Sequence, residues 1–131
     1  MALVLASALT ACSVPAADIA VSPGRAFTLA PGQTARVRDE ALSIRFVRVT
    51  ADSRCPRNVV CVWAGDVTSE VEITDAIGTK LLTIVQEATV DSGAHTVYKD
   101  YELTTSVEPY PVSGQTIPPL NYRMTITVRK R

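Results

Sequence analysis

The feature that most limits what this chain can fold into is its two-residue alternation. Tyr122, Met124, Ile126 and Val128 alternate with Arg123, Thr125, Thr127 and Arg129. Successive side chains of a strand point to opposite faces, so this run gathers its four apolar groups on one face. A one-residue slip would put all four in water, which specifies the register. Val67, Val71 and Ile73 repeat the pattern against Thr68, Glu70 and Glu72, and Leu42, Ile44 and Phe46 against Ser43 and Arg45. The phase then breaks at Phe46-Val47, because Val47 and Val49 flank Arg48, and such a slip marks a β-bulge. After the N-terminal run, no window of helical period exceeds about two turns.

Turn chemistry falls between the runs. Ala30-Pro31-Gly32-Gln33 reads as a hairpin turn joining RAFTL to TARVR. Asp75-Ala76-Ile77-Gly78 separates VTSEVEIT from TKLLTIVQ, Asp91-Ser92-Gly93 separates TIVQEATV from the run HTVYKDYEL, and Glu108 to Leu120 holds four prolines and a glycine, so it reads as a loop or irregular edge. Seven or eight short strands at spacings of roughly 8–12 residues predict an all-β domain. The preferred architecture is a single antiparallel β-sandwich of the immunoglobulin-like kind, with a small β-barrel as the alternative. Tyr101 to Thr105 would lie near the middle of the strand order.

The N-terminus has a different character. Ala2 to Ala11 carries no charge and is too short to cross a bilayer core, which needs about 20 apolar residues. It reads as the apolar core of a signal peptide. Its end, Leu9-Thr10-Ala11-Cys12, resembles the bacterial lipoprotein signal. That resemblance implies cleavage before Cys12 and acylation of the Cys12 thiol and the new amino terminus. The run departs from the usual signal in having no basic residue before it; an N-terminal strand or helix with an ordinary thiol is the alternative. The implied organisation is a signal peptide over 1–11, a lipidated cysteine and flexible tether over 12–24, and a folded domain over 25–131. Two or more acyl chains hold a protein stably at a membrane where one is marginal. Ser13 after the cysteine would suit export to the outer membrane, facing the periplasm.

Charge supports attachment by lipid rather than by electrostatics. The chain has 13 basic and 13 acidic side chains, all after Cys12. This balance argues against nucleic acid as a partner and against a polybasic membrane patch.

The most distinctive segment is Asp52 to Gly65, DSRCPRNVVCVWAG. An exported chain meets an oxidising compartment, where Cys55 and Cys61 would form a disulfide. With Cys12 acylated, no thiol is left over. A redox pair usually has two intervening residues rather than five, and a zinc site needs about four ligands, so these alternatives fit less well. Ser53-Arg54-Cys55-Pro56, then Cys61, Trp63 and Gly65, is similar to a motif in small exported bacterial proteins of unknown function. Glu108-Pro109-Tyr110-Pro111 and Asn121-Tyr122-Arg123 resemble the C-terminal half of the same family. The resemblance implies an all-β fold and export, and no activity. Trp63 is the only tryptophan. It would either pack on the disulfide, a common core arrangement in sandwiches, or stand out as a platform for a partner. Arg54 and Arg57 beside Asp52 would complete a small recognition patch, or be solvated or paired locally.

The material for catalysis is thin. The single histidine, His95, follows Gly93 in an apparent turn, and no G-x-S-x-G elbow or phosphate-binding glycine loop occurs. Glu70 and Glu72 share one side of a strand, which reads as a wet face rather than a glycosidase pair. No catalytic residue, cofactor or metal ligand is assigned. The expected protein is a monomeric, lipid-anchored envelope module that binds a protein or glycan through its loops. A peptidase inhibitor using the cysteine loop is the second reading, and a hydrolase using His95 a weak third.

Overall fold

The computed structural model describes residues 18–89 and 93–131. The expected signal peptide and Cys12 lie outside them. Nine strands form among the described residues: β1 (Ile19–Val21), β2 (Phe27–Leu29), β3 (Thr34–Val37), β4 (Leu42–Asp52), β5 (Asp66–Asp75), β6 (Thr79–Glu87), β7 (Ala94–Tyr98), β8 (Tyr101–Glu108) and β9 (Arg123–Lys130). One sheet has the order β1-β3-β4-β5-β6 and the other β2-β9-β8-β7. The fold is a β-sandwich and is not closed into a barrel. Every pair is antiparallel except β1 with β3, which is parallel.

The alternation read from the sequence builds the core. Tyr122, Met124, Ile126 and Val128 are all buried, as are Leu42, Ile44, Phe46, Val67, Val71 and Ile73. Leu103, Val107 and Leu29 join them from the four-stranded sheet. The phase break in β4 is a register shift between Phe46 and Arg48, and a second follows between Val49 and Ala51. The outward face of β5 is polar. Glu70 and Glu72 lie there opposite Arg48 and Arg45, at 2.9 and 3.7 Å, as cross-strand ion pairs.

Three features depart from the sequence reading. The Pro31-Gly32 turn forms, with the Gln33 amide donating to the Ala30 carbonyl at 3.0 Å, but its flanking strands do not pair. β2 joins β9 in one sheet and β3 joins β4 in the other, so the turn is a crossover between sheets. The expected tether is partly sheet: Ile19–Val21 pairs with β3, and the Gly24 amide donates to the Val128 carbonyl at 2.7 Å. The folded unit therefore begins before Arg25. Finally, HTVYKDYEL divides into β7 and β8 around Lys99, whose φ of 50° makes the tight reversal. β8 is an interior strand of its sheet.

At the end of the sandwich marked by the β5–β6 turn, two carboxylates tie the layers together. Asp75 accepts from Tyr98 at 2.8 Å and from Lys99. Glu40 accepts from Tyr101 at 2.6 Å.

Candidate functional site

The segment between β4 and β5 is built in two parts, a bonded base and an exposed apex. At the base, Asp52 closes β4 and Arg54 turns inward. The Arg54 guanidinium forks onto the Asp52 carboxylate, with Nε to Oδ1 at 2.8 Å and Nη2 to Oδ2 at 2.7 Å. Its remaining edge donates to the Val107 and Pro109 carbonyls, each at 2.9 Å. Arg54 is only 4% exposed. A planar fork that makes these four hydrogen bonds suits this position in a way a lysine ammonium does not. Tyr122 adds a hydrogen bond from its hydroxyl to Asp52 Oδ2 at 2.9 Å. Asp52, Arg54, Tyr122 and the Val107 and Pro109 carbonyls therefore join the two sheets under the loop.

Gly65 closes the base. Its φ is +76°, and a Cβ there would lie 1.9 Å from the Ser53 carbonyl oxygen. Only glycine permits the backbone to return this close. Around it, the Ser53 amide donates to the Asp66 carbonyl at 2.8 Å and the Cys55 amide to the Ala64 carbonyl at 2.8 Å. The Ser53 hydroxyl accepts from the Asp66 amide at 3.1 Å.

Above the base, Cys55 and Cys61 are joined in a disulfide, with Cα atoms 5.9 Å apart. The Val59 amide donates to the Pro56 carbonyl, making a turn inside the ring. The loop also leans on the proline-rich segment. The Arg57 amide donates to the Pro111 carbonyl at 3.3 Å, and Asn58 Oδ1 accepts from the Ser113 amide at 2.9 Å. The Arg54 and Arg57 guanidiniums both lie over the Tyr110 ring, at 5.0 and 4.5 Å from its centroid. Replacing both cysteines with serine is expected to lower stability by about 2 kcal/mol, the entropy of closing so short a ring. Urea unfolding of the double variant measures it.

The apex is apolar and open to solvent. Val60 and Val62 are about fully exposed, and Trp63 is 81% exposed. Val59 is also exposed, as are Val112 and Leu120 on the neighbouring segment. Trp63 therefore does not pack on the disulfide. In the motif, Ser53, Arg54, Cys55, Cys61 and Gly65 build the loop, while the Trp63 side chain is left outside it.

The expected recognition patch is corrected on one side. Asp52 and Arg54 face the interior and each other, because the Val107 and Pro109 carbonyls and the Tyr122 hydroxyl complete their hydrogen bonds. Arg57 and Trp63 remain at the surface. Tyr110 and Tyr122 were not singled out as loop residues by sequence reasoning. Tyr110 and Tyr122 lie 55 and 67 residues beyond Cys55, so no local pattern ties them to the loop. His95 lies in β7 rather than in a turn; its Nδ1 sits 3.2 Å from the Thr104 hydroxyl and 3.9 Å from Glu102. Among the described residues, no three His, Cys, Asp or Glu side chains gather as a metal site would require. No helix among them is long and apolar enough to cross a membrane.

Electrostatics give the base a pH range. Burial pushes the Asp52 carboxyl up, but hydrogen bonds from Arg54 and Tyr122 outweigh it, and its pKa lies below the ordinary value. Burial, then the hydrogen bond to Asp52, pushes the Tyr122 phenol up to about 12. At the other end, the hydrogen bond from Lys99 first, then that from Tyr98, holds Asp75 well below the usual carboxylate range. The Tyr101 hydrogen bond lowers Glu40 and raises Tyr101 to about 12. A lowered carboxyl pKa gives stability that is complete above the unfolded value near about 4 and is lost as pH falls through the folded value. A raised phenol pKa gives stability that is complete below about 10 and is lost as pH rises through the folded value. Thermal melts should thus show a plateau between about pH 5 and pH 9, with losses on both sides.

The fold and this geometry define a β-sandwich bearing a stapled loop with an apolar apex. No family model, curated protein or solved structure matches the chain.

Proposed function

We propose that the protein is a non-catalytic docking module of the cell envelope, held there by lipid on Cys12 and making contact through the apex of the Cys55–Cys61 loop. The observation that carries this reading is the contrast between base and apex. Buried ion pairing, a disulfide and a glycine at positive φ fix the shape of the loop, while Val60, Val62 and Trp63 are left in water. Exposed apolar side chains grouped on a rigid support mark an interaction site. Holding the loop in one shape reduces the ordering cost of contact. The disulfide fits an oxidising, exported setting.

A photocrosslinking side chain at position 62 tests this in intact envelopes. Adducts should form there and be absent when the same group replaces Ile77, which is 88% exposed in the β5–β6 turn. Equal labelling at both positions would contradict the reading. The exposed apex of a disulfide-closed loop also favours a second reading, insertion into a peptidase cleft. That reading predicts slowed cleavage by an envelope peptidase, with the inhibition lost in Trp63→Ala.

A further inference from the structure

We infer that the apex of the disulfide loop enters the lipid–water interface of the membrane that holds the protein, as a second contact beside the acyl chains. The inference rests on the proposed lipid attachment at Cys12 and adds what the loop touches. Its first support is the direction of the chain. β1 runs parallel to β3, with Ile19 opposite Ala35, and β3 runs antiparallel to β4, with Ala35 opposite Ile44. Moving from Ile19 back to Asp18 therefore heads along β4 towards Asp52, the end that carries the loop. Arg45, at the level of Asp18, faces Glu72, and Asp52 faces Val67. Five residues of β5 thus separate the two levels, about 17 Å at the rise of a strand. The six residues from Cys12 to Asp18 span at most about 20 Å. A span of that length is enough to reach the level of the loop base.

The second support is the chemistry of that end. Val59, Val60, Val62, Trp63, Val112 and Leu120 are exposed together there. Arg57 is the only charged residue between Pro56 and Ala64, and no acidic residue occurs in that stretch. A tryptophan with valines and one cation suits the headgroup level of a membrane, where the indole finds both apolar and polar surroundings.

Trp63, as the only tryptophan, is its own probe. The acylated chain is reconstituted into vesicles of phosphatidylethanolamine and phosphatidylglycerol, with and without spin-labelled lipid. Flotation reads attachment, and Trp63 emission reads the loop. Flotation with a blue-shifted emission that shallow spin labels quench is the expected result. The Val60→Glu, Val62→Glu variant, altered only at exposed positions, should float as before and lose the shift and the quenching. Flotation with unshifted, unquenched emission would overturn the inference and leave the lipid attachment standing. Failure to float would overturn both. Quenching that persists in the doubly charged variant would also contradict the inference. A shift seen only in envelopes containing protein would assign the apex to a protein instead.

Discussion

Arg54→Ala is expected to destabilise the protein by about 3–5 kcal/mol, the cost of removing one partner of a buried ion pair. The reason is specific to this base. Without the guanidinium, the Asp52 carboxylate loses its bidentate partner, and the Val107 and Pro109 carbonyls each lose a donor. Exposed ion pairs are worth far less, typically below about 1 kcal/mol. Arg54→Lys should recover little, because one ammonium cannot reach both carboxylate oxygens and two carbonyls in a plane. Removing both charges, as in Asp52→Asn with Arg54→Met, should be less damaging than Arg54→Ala alone, since no buried charge is then left unpaired. Denaturant unfolding of the single and double variants gives these values. A loss below about 1 kcal/mol for Arg54→Ala would place this pair in the class of surface contacts.

Gly65→Ala carries the second large effect. The left-handed conformation alone costs an L-residue about 1–2 kcal/mol. The added methyl would also meet the Ser53 carbonyl oxygen at 1.9 Å, so backbone must move. That movement strains the Ser53–Asp66 and Cys55–Ala64 hydrogen bonds that close the loop. A total near 3 kcal/mol is expected, about 1–2 from conformation and the rest from the lost bonds. Gly114→Ala is the control. It has a similar φ of +79° but open space around the new methyl, so only the conformational part should be lost. Equal losses at the two positions would mean that the close approach at Gly65 costs nothing.

Much of the fold was legible because strand alternation is a local signal. The inward faces of β4, β5 and β9 follow from residues two apart, and the bulge in β4 from one change of phase. What was not legible depends on distant partners. The Pro31-Gly32 turn was visible, but Phe27 pairs with Ile126 and Ala35 with Ile44, so sheet assignment lies far outside the turn. Ile19–Val21 is only three residues long and becomes a strand through its pairing with β3. The turn at Lys99 has neither glycine nor asparagine to announce it, so HTVYKDYEL read as one run.

The candidate site divides in the same way. The cysteine pair and its disulfide were legible from spacing and from the even count left once Cys12 is set aside. Arg54 was read as part of a recognition patch, or as solvated or paired locally; the local pairing with Asp52 forms, but its burial was not legible, because arginines are seldom buried. Its partners, Val107 and Pro109, are 53 and 55 residues away. Trp63 was open between two arrangements. It stands outside the core because the hydrogen bonds of Cys55, Gly65 and Asp66 close the base beneath it, leaving the apex beyond the sandwich.

The central claim is that a rigid base holds Trp63 out in solvent for contact. Fluorescence of the purified chain in buffer tests it most directly, since the only tryptophan reports the apex. The expected result is a red-shifted, water-exposed emission that acrylamide quenches freely, unchanged until the chain unfolds. A blue-shifted emission protected from acrylamide in the folded chain would contradict it.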